Sequence, residues 1–240
     1  MTTDPIVIVG SARTPMGGFQ GELSGLTASQ LGAHAIKAAL TRANVAADQV
    51  EEVIMGCVLP AGQGQAPARQ ASRGAGIPDA AGATTINKMC GSGMKAAMFA
   101  HDMLIAGTNR VMVAGGMESM TNAPYLLDKA RGGYRMGHGR VMDHMFLDGL
   151  EDAYDKGRLM GTFPEGCGPS FQFTRQGQAQ FGLRSAGRRC KAGNLGGRVR
   201  APDHPDRKGR NRAAEGRAPA QGPGPTRSPA LKPLFPPAAR

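Results

Sequence analysis

The chain has 240 residues, enough for one large domain or two small ones; it is 40% hydrophobic but only 5% aromatic and has no Trp, so its core must be aliphatic and methionine-rich. No window approaches the roughly eighteen consecutive apolar residues of a membrane span, and residues 1–10 lack the basic start and apolar stretch of a signal peptide. The net charge of +11 is not spread along the chain: residues 1–164 hold fourteen basic and fourteen acidic side chains, and the other fifteen basic and four acidic ones lie in residues 165–240.

In chain order, Ile6-Val7-Ile8-Val9 reads as a short buried strand ending at Gly10. Thr27-Ala-Ser-Gln30 is a capping box. It opens a helix with Leu31, Ala35, Ile36, Ala39 and Leu40 on one face, ending near Asn44. Val53-Ile54-Met55, closed by Gly56, is a second strand. A loop over residues 62–64 leads to a helix starting at Pro67 and running to Arg73. Thr84-Thr85-Ile86-Asn87 is a third strand. Residues 91–106 form a helix, with Met94, Ala97, Met98, His101 and Ile105 assigned to its inner side. Residues 110–114 make a fourth strand, stopped by Gly115-Gly116. Strands separated by helices predict an α/β layered domain. Residues 120–164 lose the alternation and read as a long excursion or lid.

The segment with chemical content is Asn87-Lys88-Met89-Cys90-Gly91-Ser92-Gly93. It places a cysteine between a strand end and a helix start. The partial positive charge of a helix N-terminus favours a thiolate there, and the small residues that follow let an acyl group come close. A sulfur nucleophile on a strand–turn–helix elbow is one reading; a buried structural cysteine is the other. Cys57, Cys167 and Cys190 form no Cys-x-x-Cys pair with it or with each other, so neither a zinc knuckle nor a disulfide framework is expected. Cysteine usage predicts a reducing, cytoplasmic setting.

Ile86-Asn-Lys-Met-Cys90-Gly-Ser-Gly-Met-Lys-Ala resembles the nucleophile segment of the thiolases. Three further segments agree in order. Val9-Gly-Ser-Ala-Arg13-Thr-Pro15-Met-Gly-Gly-Phe resembles their first strand and turn. Gly56-Cys-Val-Leu-Pro-Ala-Gly-Gln-Gly64-Gln-Ala-Pro67-Ala-Arg69-Gln resembles the loop and helix before the catalytic strand. Val113-Ala-Gly-Gly-Met117-Glu118-Ser-Met-Thr-Asn-Ala-Pro-Tyr125 resembles the entry to the CoA-covering loop domain. The stretch from Asp148 to Thr162 fits the same loop domain, and the match fades through Phe181. The resemblance implies a thiolase-like layered α/β fold: an αβ domain with the nucleophilic cysteine over residues 1–119 and a partial loop domain over 120–186. It implies an acyltransferase of the branch that works on acetyl-CoA, with Cys90 as the catalytic nucleophile, acyl-CoA as substrate, and neither a metal nor a further cofactor. Oligomerisation is a family property whose transfer to this chain is left open, and no cofactor-binding residue is assigned. A longer-chain 3-ketoacyl-CoA thiolase and a non-catalytic fragment are the alternatives.

Thiolases also carry a histidine in an Asn-x-x-Gly-His-Pro-type segment and a second reactive cysteine before a glycine run. His204 in Pro-Asp-His-Pro-Asp and Cys190 in Arg-Arg-Cys-Lys match neither segment, so those roles are not transferred. The chain as written is therefore expected to turn over poorly.

Residues 187–240 read as a basic, low-complexity tail. Within residues 165–240, Arg, Gly, Pro and Ala fill 45 of 76 positions and only 11 are Val, Ile, Leu, Met, Phe, Tyr or Cys. So few apolar residues cannot offset the chain entropy of folding. A nucleic-acid arm, a linker and an out-of-frame GC-rich gene segment are the three readings. The last is preferred: RNA-binding arms add aromatics for stacking, and after Phe181 there is only Phe235. Neither a nucleic acid nor a membrane is expected as partner.

Of the remaining candidates, His34 and His101 are expected to be structural, and Cys57 a small buried residue. His138 and His144 fall in the lid-like region without an assigned role. Met89, Met94, Met98, Met117 and Met120 are expected to pack the core and line an acyl pocket. Arg131, Arg135 and Arg140 either meet CoA phosphates or form a solvated face.

Overall fold

The structure, a computed structural model, describes residues 6–191 together with 204–205 and 211–212. The expected disorder beyond Gly187 falls almost wholly outside these residues. Two compact units are present, one within Met1–Gly149 and the other beginning at Leu150.

The first unit is built on a parallel three-stranded sheet in the order β2-β1-β3. Strand β1 (Glu52–Gly56) is central; Val53 pairs with Ala83 of β2 (Gly82–Ile86) and with Val113 of β3 (Met112–Gly116). An unbroken apolar run is what a strand covered on both faces requires, and Val53, Ile54 and Met55 are all buried. On one face lie helices α1 (Ala28–Ala43) and α2 (Pro67–Gly74), which share a core with Val53, Met55 and Cys57. Helix α3 (Ser92–Ile105) lies against β1 and β3. The expected α/β layering is thus present.

Local chemistry explains the element ends. Thr27 Oγ1 accepts the Gln30 N–H at 3.2 Å and Gln30 Oε1 accepts the Thr27 N–H at 2.9 Å, so both arms of the capping box form. Asn44 ends α1 in the left-handed region at φ 51°. Pro67 starts α2, where its missing N–H costs nothing. α1 and α2 meet on small residues: a Cβ on Gly74 would lie 2.9 Å from Ala33 Cβ.

Two expectations need correction. Ile6-Val7-Ile8-Val9 is not a strand, and these residues are exposed, Ile8 to 91%. A strand exists only through its neighbours, and this segment has no ladder among the described residues. The inner face of α3 is also not the one expected. Ser92, Ala96 and Ala100 are buried, whereas Met94 is 75% exposed and Met98, His101 and Ile105 also face outward. The cause is the sheet surface beneath the helix. It presents Gly56 and Gly116 at the strand ends, so the helix settles on its small residues and turns its large ones away.

The excursion after β3 carries three 3₁₀ or π turns and a two-residue antiparallel pair, β4 (Tyr125–Leu126) with β5 (Met142–Asp143). Its start is tied to the segment before α1: Asn122 Nδ2 donates to the Leu26 carbonyl at 2.8 Å and Ser119 Oγ donates to the same carbonyl at 3.0 Å. The second unit holds α4 (Thr162–Phe171) and α5 (Arg175–Lys191). Two short pairs of residues, β6 (His204–Pro205) and β7 (Asn211–Arg212), run antiparallel. No described helix is long and apolar enough to cross a membrane.

Candidate active site

The turn over residues 87–91 carries the chain from β2 into α3 and holds Cys90 at the surface with a free thiol. Gly91 is the N-cap of α3 and no acidic side chain lies in its first turn, so Cys90 stands one residue outside an uncompensated helix N-terminus. Small side chains make this location reachable. A Cβ on Gly56 would lie 2.5 Å from Ser92 Cβ and 2.9 Å from the Gly93 nitrogen, so any larger residue at the end of β1 would push the helix start away.

The turn is tightly wired. Met89 takes φ 49°, a left-handed conformation that costs a non-glycine residue about 1–3 kcal/mol and persists only where neighbours impose it. The neighbours are Asn87 and Ser92. Asn87 Oδ1 accepts the Met89 N–H at 2.9 Å. The Ser92 hydroxyl donates to the Met89 carbonyl at 2.6 Å and accepts the Lys88 N–H at 2.8 Å. Ser92 is buried, so replacing it with Ala would strand the Lys88 N–H without that acceptor.

A second cluster lies on the loop after β1. Glu118, just past β3, accepts the Val58 N–H at 2.8 Å and the Leu59 N–H at 3.1 Å. Cys57 is 1% exposed and its thiol donates to Glu118 Oε1 at 3.6 Å. Burial, then the Glu118 charge, pushes the Cys57 thiol up to about 11, so this cysteine is inert at neutral pH. It is the small buried residue the sequence suggests. His144, 4% exposed, accepts the Ala61 N–H on Nε2 at 3.4 Å. That bond leaves the ring proton on Nδ1, facing Asp148 Oδ2 at 2.6 Å. His144 thereby fastens the excursion to the loop after β1. Sequence reasoning gave it no role, and the spacing of 83 residues to Ala61 left no local signal.

The structure does not bring all the expected residues together. Among the five methionines expected in the core, only Met117 is buried; Met89, Met94, Met98 and Met120 are exposed, the α3 pair because the helix packs on its opposite side. His101 is exposed beside Asp102, and His34 lies on α1. Arg131, Arg135, His138 and Arg140 lie on a fully exposed stretch. Cys167 is exposed on α4; the Cys190 side chain lies outside the described residues, as does that of His204.

The family model of the thiolase N-terminal domain matches residues 6–197, the span that holds this αβ layer and its surface cysteine. The chain belongs to this thiolase family. The match runs further toward the C-terminus than the segments quoted above, which fade through Phe181. Relatives include "Acetyl-CoA acetyltransferase 2" of Arabidopsis thaliana, 53% identical over 80% of this chain and 47% of its own length. "Acetyl-CoA acetyltransferase IB" of Candida tropicalis is 47% identical over 80% of this chain and 48% of its own. "Acetyl-CoA acetyltransferase A, mitochondrial" of Xenopus laevis is 50% identical over 77% of this chain and 43% of its own. The chain spans about half the length of the curated relatives it matches.

Proposed function

We propose that this chain is the nucleophile-bearing part of a thiolase-type acetyl-CoA C-acetyltransferase, with Cys90 as the acyl acceptor. The observation that carries this reading is the exposed Cys90 thiol on its wired turn at the start of α3, inside the family match. The names of the relatives support acetyl-CoA as substrate. Cys90 Sγ attacks the acetyl carbonyl. The new Sγ–C bond forms as the C–S bond to CoA breaks, and CoA leaves as the thiol with the proton lost by Cys90. A second acetyl-CoA, deprotonated at its α carbon, then forms a C–C bond to the acyl group as the Sγ–C bond breaks; the α proton ends on Sγ, which is restored as the thiol, and the product is acetoacetyl-CoA, with thiolysis the reverse.

Among the described residues, no side-chain base is hydrogen-bonded to the Cys90 thiol. His144 is committed to Asp148 and Ala61, and His101 projects from the outward face of α3. An enzyme of this type uses general acid–base groups worth roughly 10²–10⁴ each in rate. The first half-reaction is therefore the step that the described residues support, and the full cycle is expected to be slow. On this reading residues 1–119 form the catalytic αβ domain, 120–186 part of the CoA-covering domain, and 187–240 a tail without catalytic role. The setting is the cytoplasm, on cysteine usage. The Xenopus relative named mitochondrial marks the competing compartment, and fractionation of cells expressing the tagged chain separates the two.

The test is release of CoA thiol from acetyl-CoA under single-turnover conditions. The chain is expected to release up to one equivalent, and Cys90→Ala none. Equal release by Cys90→Ala would move the chemistry elsewhere. Faster acylation by a longer acyl-CoA than by acetyl-CoA would favour the longer-chain alternative.

A further inference from the structure

Three strand ends meet at the turn that carries Cys90, and two polar side chains tie them together. Glu118, beyond the end of β3, holds the loop after β1 by accepting the Val58 and Leu59 N–H groups at 2.8 and 3.1 Å. The Val58 carbonyl, on that same loop, accepts Asn87 Nδ2 at 3.3 Å. Asn87 Oδ1 in turn accepts the Met89 N–H at 2.9 Å, and Met89 is the residue held at φ 49° immediately before Cys90. The described partners of Glu118 are two amides and a thiol, none of them a cation, so the carboxylate is committed to fixing this loop. Asn87 is exposed. An exposed amide making hydrogen bonds to backbone on both sides adds little to overall stability, yet it links the two segments that set where the thiol emerges.

We infer that Asn87 and Glu118 are positioning residues for acyl transfer at Cys90, acting as a relay from the end of β3 through the loop after β1 to the turn after β2. Neither residue is assigned a contact with the acyl group. Their effect is on the orientation of Cys90 Sγ, to which transfer rates are steeply sensitive: a misplacement near 1 Å costs on the order of a hundredfold. The inference rests on Cys90 being the acyl acceptor.

Single-turnover acylation of Cys90 by acetyl-CoA tests it, with the saturated rate and the half-saturating concentration measured separately. Asn87→Ala is expected to lower the saturated rate by roughly ten- to a hundredfold and to leave the half-saturating concentration unchanged. Asn87→Asp keeps an oxygen for the Met89 N–H but loses the donor to the Val58 carbonyl, so it is expected to recover only the part of the rate that the Met89 contact supplies. Glu118→Gln keeps one acceptor oxygen and is expected to fall between Asn87→Ala and the wild type. Iodoacetamide, which needs no docking geometry, should alkylate Cys90 alike in the wild type, Asn87→Ala and Glu118→Gln, and more slowly in Asn87→Asp, whose added carboxylate disfavours the thiolate. Exclusion of iodoacetamide from buried Cys57 reports that each variant is folded; if Glu118→Gln loses its fold, the two Asn87 variants decide the question. An Asn87→Ala chain acylated at the wild-type rate, or one that loses only amplitude in proportion to its folded fraction, overturns the relay. A wild type that is not acylated at Cys90 at all overturns the nucleophile reading instead.

Discussion

Cys57 and Cys90 show how far position decides the chemistry of one residue type. Both follow the end of a strand, but Cys57 turns into the core beside a carboxylate while Cys90 stands in solvent ahead of a helix. For Cys57 the folded-state value of about 11 lies above the ordinary thiol value of 9.0. The unfolded chain therefore gives up this proton first as pH rises. The stabilisation is fully present below pH 9 and is lost as pH climbs through 11, a change of about 2–3 kcal/mol. Denaturant melts at pH 8 and pH 11 should show a smaller alkaline loss in Cys57→Ala than in the wild type. Equal losses would mean that the thiol ionises as freely in the folded state as in the unfolded one. At this scale the sequence was informative where chemistry is local. The strand–turn–helix setting of Cys90 was legible in the sequence, and the structure has the residue there. The left-handed Met89 and the Glu118 contacts to the loop after β1 had no such signal, because they depend on groups that folding alone brings together.

At the scale of elements, α1, α2, α3 and the three sheet strands were legible from periodicity and caps, with ends shifted by one or two residues. The face of α3 was not. Met94, Met98 and Ile105 have the spacing of a buried stripe, but the glycines of β1 and β3 select the stripe of Ser92, Ala96 and Ala100. Two substitutions separate these alternatives. Gly56→Ala should destabilise the chain by about 1–3 kcal/mol, since its Cβ meets Ser92 backbone and side chain with nowhere to move. Met94→Gln should change stability by no more than about 0.5 kcal/mol, as expected of an exposed site. Urea midpoints measure both. A costly Met94→Gln beside a harmless Gly56→Ala would place the helix as periodicity alone suggests.

At the scale of the whole molecule, the α/β layering followed from strands alternating with helices, whereas the fate of residues 6–9 did not. An apolar run reads as a strand, but whether it is one depends on a neighbour that lies elsewhere in the chain. The exposed run at residues 6–9 and the outward face of α3 leave apolar surface bare on the first unit, and bare surface of this kind drives association. Sedimentation velocity should show self-association that Met94→Lys with Met98→Lys reduces; a wild type that stays monomeric at high concentration would contradict this. The central claim, that Cys90 carries the acyl group, is tested most directly by peptide mapping after incubation with labelled acetyl-CoA and acid quenching. Trypsin cuts after Lys88 and Lys95, so Cys90 falls in a peptide with no other cysteine. The account predicts one acetyl label on that peptide, removed by hydroxylamine as a thioester is. Label on the Cys57 or Cys167 peptide with none at Cys90, or no thioester at all, would contradict it.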